Sequence, residues 1–185
     1  MTVSQPRLLS VEEYLELEEV SATKHEYIGG ELFAMTGTTN RHGLICMNVA
    51  GALRSHLRGG PCRAFMSGVK VRLTVDRDEI FYYPDVLVAC GPQDLGKTYV
   101  RDPKLIVEVL SPSTQRVDRR EKALSYRHIS SLEQYVLIAQ DEPEVTIYAR
   151  SEDWRARVHA RLEAQAALHS VALSLPLTRI YEDAL

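Results

Sequence analysis

"KLIVEVLSPST", residues 104–114, is the stretch on which the reading of this chain turns. Leu105, Ile106, Val107, Val109 and Leu110 form the apolar run of a buried strand, with Glu108 in its middle. A carboxylate buried there costs several kcal/mol unless something pairs with it. Pro112 breaks the strand, and Ser113 or Thr114 is suited to cap a helix that runs to about residue 129. In that charged segment Ala123, Tyr126 and Ile129 are expected to face inward.

A second apolar strand, "YYPDVLVAC" at 82–90, has Asp85 at its entrance. If the two strands are neighbours, their acids converge on one hard divalent cation, which prefers oxygen ligands and balances their charge. Each acid also has a plainer reading. Asp85 is a natural turn residue after Pro84, and Glu108 could pair with an Arg or Lys of the following helix. Lys122 is divided in the same way. Asp118, four residues earlier, offers an ordinary surface ion pair. Alternatively the ammonium reaches back to the carboxylates, to orient a water or to stabilise charge on a phosphate. Spacing alone does not separate the two.

Working outward, Ser10-Val11-Glu12-Glu13 has the capping-box form, so a helix is expected from about residue 11. "HEYIGGELFAM" reads as two strands around the hairpin glycines Gly29 and Gly30. "TGTTN" leads into a helix over roughly 41–57 with Ile45, Val49, Leu53 and Leu57 on one face. "VKVRLTV", "EQYVLIA" and "EVTIYAR" read as further strands. "WRARVHARL" at 154–162 alternates strictly, with Arg155, Arg157, His159 and Arg161 on one face. A strand and a short helical tail end the chain. No repeat or linker interrupts it, so residues 1–185 are expected to form one mixed α/β or α+β domain.

The hydrophobic and charged fractions, 45% and 25%, are ordinary for a globular chain. No apolar run approaches the ~18 residues of a membrane span, and the N-terminal stretch has no basic-then-apolar signal pattern, so a cytoplasmic location is expected. Cys46, Cys62 and Cys90 form no CxxC pair and read as reduced thiols. Net charge is −3, yet no Asp or Glu occurs between Leu32 and Val75, where Arg41, Arg54, Arg58, Arg63, Lys70 and Arg72 fall. That block suits a polyanion, or is simply a solvated face. The histidines show no HExxH spacing, and GxSxG, Walker-type and GxGxxG motifs are absent, which argues against zinc-hydrolase, serine-hydrolase and nucleotide-binding classes.

Pro84-Asp85 followed by Glu108-Val109-Leu110 resembles the PD-(D/E)XK motif of the restriction-endonuclease-like superfamily. The ordered set "HEYIGGELFAM", "RHG", "YYPDVLVAC", "LIVEVLSPST" and "EKALSY…EQYVLI" is similar to the Uma-type endonuclease family over about residues 10–180. The resemblance implies a central mixed β-sheet flanked by helices, with an N-terminal helix and hairpin. It implies Mg²⁺ or Mn²⁺ held by Asp85, Glu108 and the backbone carbonyl of Val109. The superfamily lysine two residues after the acid is replaced here by Leu110, and Lys122 matches the lysine displaced to the next helix. Gly29 stands where the family often has Asp. Glu26, Glu31 and His42 also fall on family-typical positions. From the residues alone, Glu31 is more readily an exposed strand residue than a further carboxylate or water-mediated metal contact, and His42 more readily a capping or packing group than a phosphate contact or a support behind the metal ligands.

The expectation is a metal-dependent endonuclease of DNA, with Arg116, Arg119, Arg120 and Arg127 joining the basic block as phosphate contacts. The alternatives are a non-catalytic nucleic-acid-binding or assembly module on the same fold, and a hydrolase of another phosphate ester. The arginine face at 154–162 suits pairing across a subunit interface, and a homodimer accords with how nucleases of the superfamily cut two strands.

Overall fold

The computed structural model describes residues 7–111 and 115–185. At its centre is a six-stranded sheet in the order Ala156–His159, Val145–Ala149, Gln134–Ala139, Pro103–Leu110, Val86–Cys90, Cys62–Met66. All neighbours are antiparallel except Pro103–Leu110 and Gln134–Ala139, which run parallel and are joined through the helical segment between them. Alternation along Pro103–Leu110 sends Leu105, Val107 and Val109 to one face, where helix Asn40–His56 packs with Ile45, Cys46, Val49 and Leu53. Ile106 and Leu110 go to the other face, against Ala123, Tyr126 and Ile129 of the helical segment and against a second sheet. Glu108 shares the parity of Ile106 and Leu110 and therefore points into that second layer.

The second sheet has five strands in the order Glu31–Ala34, His25–Ile28, Asp78–Tyr82, Lys70–Val75, Tyr99–Val100. The hairpin that opens it turns on Gly29 and Gly30, both at positive φ (55° and 102°). A Cβ at Gly30 would lie 2.7 Å from Leu8 Cβ, so this position requires glycine on two counts. A two-stranded ribbon, Gln165–Leu168 with Leu173–Pro176, and the helix Leu177–Ile180 cover the Asn40–His56 side.

The expected helix starts hold. Ser10 and Glu13 form the capping box, and Thr39 caps the helix that starts at Asn40. The cap expected from Ser113 or Thr114 lies outside the described residues. The "YYPDVLVAC" strand is two pieces: Tyr82 ends one strand, Val86 begins another, and Asp85 sits in the break. The alternating stretch at 154–162 pairs only over Ala156–His159, as an edge strand whose apolar Val158 is 56% exposed. Positive φ at Asp153 and Trp154 turns the chain before it can extend further.

The expectation of three free thiols is overturned. Cys62 and Cys90 are direct partners in the antiparallel register and are joined as a disulfide, leaving only Cys46 free. Sequence spacing could not reveal this, because the pairing depends on two strands 28 residues apart meeting in that register. A bridge closing a loop of this length is worth roughly 3–4 kcal/mol. Thiol titration in denaturant should count one thiol before reduction and three after it, with a lower melting temperature for the reduced protein; three thiols at the outset would refute the bridge.

Candidate active site

Glu108 is 3% exposed, and each of its oxygens has a partner. Oε1 accepts from the Tyr126 hydroxyl (3.1 Å) and from Lys122 Nζ (3.3 Å), and Oε2 accepts from the Asp85 backbone N–H (3.2 Å). Asp85 Oδ2 in turn accepts from the Val109 N–H at 2.7 Å. Each acid is thus held by the backbone of the other's strand, which is possible because the antiparallel register sets Val86 against Val107. The neighbourhood expected of the two strands is present.

Lys122 lies within ion-pair distance of three carboxylates: Glu26 Oε1 at 2.8 Å, Glu108 Oε1 at 3.3 Å and Asp118 Oδ1 at 3.3 Å. The Asp118 pair foreseen from spacing therefore exists, but it is buried, and it coexists with the contact to Glu108 rather than replacing it. Asp118 Oδ1 is out of hydrogen-bond alignment with the ammonium and, among the described residues, has no other hydrogen-bond partner. The segment Asp118–Lys122 is a turn of π-helix between short α-helical pieces, a form found mostly as a bulge, frequently at functional sites. Tyr135 steadies it by donating to the Asp118 carbonyl (3.0 Å).

Glu26, Asp85, Glu108 and Asp118 are four carboxyl groups gathered about the one ammonium of Lys122. Burial pushes the Glu108 carboxyl well above the usual range; Lys122 opposes this, and Asp118, Asp85 and Glu26 reinforce it. Burial also disfavours the Lys122 charge, yet Glu108, Glu26 and Asp118 together hold that ammonium well above the ordinary lysine range. The cluster is short of positive charge, and Lys122 stays protonated.

His42 approaches from the opposite face of the sheet. Its Nε2 is 3.2 Å from Asp85 Oδ2. Burial lowers the imidazole pKa, but the bond and charge of Asp85 and the Val109 carbonyl outweigh it, so the net shift is upward. His42 thus brings a titratable nitrogen to one of the oxygens that the family resemblance assigns to a metal. On its other side Nδ1 lies 3.4 Å from Cys46 Sγ. A cavity of about 430 Å³ opens here, lined by Lys24, Thr36, His42, Cys46, Tyr83 and Asp85 among others. Asp85, 17% exposed in its side chain, is the acid that looks into it.

Asp85, Glu108, Lys122 and His42 are brought together; Glu31 is not. Glu31 is exposed at the hairpin edge opposite Ile28, and the acid the hairpin delivers is Glu26, which also accepts from the Tyr83 N–H (3.3 Å). Asp118 and Tyr126 entered the sequence reading only as a surface partner and a core residue. The one sequence signal for Asp118 was its i,i+4 spacing to Lys122. Of the basic block, Lys70 is buried beside the Tyr83 hydroxyl and Arg72 is bound to Glu79, whereas Arg41, Arg54, Arg58 and Arg63 are exposed. Among the described residues no helix is long and apolar enough to cross a membrane.

A family model, Uma2, described as "Putative restriction endonuclease", matches residues 11–178. The chain belongs to the Uma2 family. Two uncharacterized proteins of Synechocystis sp. are similar to it. One is 35% identical over 176 residues, covering 94% of this chain and 91% of the relative. The other is 34% identical over 143 residues, covering 76% and 80%. A crystal structure from Anabaena variabilis, described as "a putative nuclease belonging to DUF820", superposes with a TM-score of 0.77 at 20% identity, covering 96% of this chain and 99% of that one. The Uma2 chain thus has the restriction-endonuclease-like fold its motifs implied.

Proposed function

We propose that this Uma2 protein is a divalent-metal-dependent endonuclease that hydrolyses phosphodiester bonds of DNA. The observation that carries the reading is the meeting of Asp85, at the entrance of one strand, and Glu108, on the neighbouring strand, with the buried ammonium of Lys122. The residues fit a hard cation. Asp85, Glu108 and the Val109 carbonyl are all oxygen donors, and four carboxyl groups gather about the single ammonium of Lys122. A divalent ion held by Asp85, Glu108 and Val109 supplies Lewis-acid polarisation and a bound water of lowered pKa.

The chain's own residues have separate tasks. Lys122 opposes the protonation of Glu108 that burial favours and places fixed positive charge beside the reacting phosphate, where developing charge is stabilised without reorganisation. Glu26 and Asp118 anchor Lys122 from two further sides, so that the ammonium does not wander. Tyr126 fixes the carboxylate rotamer of Glu108. Asp85 faces the cavity and is the group a substrate meets first. The exposed Arg116, Arg119 and Arg120, on the segment that carries Lys122, supply salt-sensitive phosphate contacts.

Supercoiled plasmid incubated with purified protein in Mg²⁺, in Mn²⁺ and in EDTA tests this. Nicking is expected with either metal, none with EDTA, and none with Asp85→Asn. DNA binding without cleavage under every condition would replace the proposal with the non-catalytic binding module. Equal nicking by Asp85→Asn would discard the site.

A further inference from the structure

His42 and Cys46, four residues apart, lie on one face of helix Asn40–His56, and that face packs on the end of the sheet where Asp85 stands. One ligand atom from each of His42, Cys46 and Asp85 lies within 4.8 Å of the other two. The His42 Nδ1 to Cys46 Sγ separation of 3.4 Å is close to the roughly 3.5 Å that two such ligands subtend at a tetrahedral zinc ion. We propose that His42, Cys46 and Asp85 form a second metal site, selective for a borderline-soft divalent ion such as Zn²⁺, which shares Asp85 with the oxygen-lined site.

The donor chemistry makes the assignment. Mg²⁺ takes oxygen ligands and dehydrates reluctantly, so an imidazole and a thiol offer it little. Zn²⁺ binds nitrogen, sulfur and carboxylate oxygen together, and three protein ligands with a fourth position open is the arrangement of an accessible rather than a closed zinc site. The open position here faces the cavity of about 430 Å³. His42 and Cys46 are both buried, which shields the ion from competing water. On binding, the ion sheds waters and forms bonds to nitrogen, sulfur and oxygen. The thiol proton, and any proton on the ligating imidazole nitrogen, passes to solvent, so uptake of the ion acidifies an unbuffered solution.

Sharing Asp85 has a consequence that rests on the nuclease reading above. An ion held by His42 and Cys46 turns Asp85 away from the oxygen site, so Zn²⁺ inhibits Mg²⁺-dependent cleavage. Asp85 then serves either ion but not both, and Cys46 decides how well the softer one competes.

Co²⁺ titration of the unreduced protein reads the site without reference to cleavage. The expected result is one equivalent of Co²⁺ giving a sulfur-to-cobalt charge-transfer band in the near ultraviolet, bleached by Zn²⁺ and absent in Cys46→Ser. Absence of the band in the wild-type protein, or its persistence in Cys46→Ser, overturns the site. In the plasmid assay, equimolar Zn²⁺ should depress wild-type cleavage in Mg²⁺ by roughly tenfold or more and depress that of Cys46→Ser, measured against its own rate in Mg²⁺ alone, far less. Equal inhibition of the two would overturn the shared-ligand inference. A protein that cuts nothing but shows the cobalt band would refute the nuclease and retain the metal site.

Discussion

Lys122→Met should lower the melting temperature by roughly 10 °C and abolish metal-dependent cleavage. The substitution keeps an unbranched side chain one heavy atom shorter and removes the ammonium that Glu26, Glu108 and Asp118 share. Breaking a buried ion pair by removing one partner costs about 3–5 kcal/mol, because the remaining charge is left uncompensated. In a domain of this size each kcal/mol moves the melting temperature by roughly 2–4 °C. Circular dichroism at rising temperature measures the loss. The double variant Lys122→Met with Glu108→Gln separates charge from packing. It should regain part of the lost stability, since one of the orphaned charges is gone, and it should remain inactive. A double variant no more stable than Lys122→Met would mean that the ammonium matters through contacts other than Glu108.

Glu108→Gln should reduce cleavage in Mg²⁺ by more than about 100-fold and flatten the pH dependence of stability. Burial, together with Asp118, Asp85 and Glu26 and against Lys122, raises the Glu108 carboxyl. The folded state therefore binds this proton more tightly than the unfolded chain. Stability from the group is fully present below the ordinary Glu range and is lost as pH rises through its folded value, at no more than about 1.4 kcal/mol per pH unit. In EDTA the wild-type protein should lose stability as pH rises above the ordinary Glu range. His42 adds to the loss with the same sign, because its folded pKa is also raised. The decisive quantity is therefore the difference in slope between wild type and Glu108→Gln, read from urea midpoints over that rise in pH. Mg²⁺ should restore stability to the wild type and not to the variant. Parallel slopes would show that Glu108 is ionised throughout, with Lys122 as sufficient partner, and the case for a cation there would fall.

The local features of the fold were legible because they depend on neighbours in sequence. The capping box at Ser10, the hairpin at Gly29 and Gly30, and the apolar face of Ile45, Val49 and Leu53 each follow from a period or a turn preference within a few residues. Glu108 declared itself by being a charge in an apolar strand, and Asp85 by standing at the head of another. Lys122 was legible as a candidate, and the choice between its two readings was not. The structure shows that both contacts exist at once, since a buried ammonium reaches several acids where a surface one would settle on a single partner.

Residue order settles which residues must find partners: Glu108, a carboxylate in an apolar run, could not be buried alone. Which partners they find was decided only by tertiary structure. Glu26 reaches Lys122 from a different sheet, and His42 meets Asp85 from a helix on the opposite face. Cys62 meets Cys90 through strand register. Glu31, as eligible by position as Glu26, is left in solvent. Period and propensity act over a few residues, whereas charge compensation in a low-dielectric interior depends on which distant segments the packing of the layers brings within a few ångströms of one another.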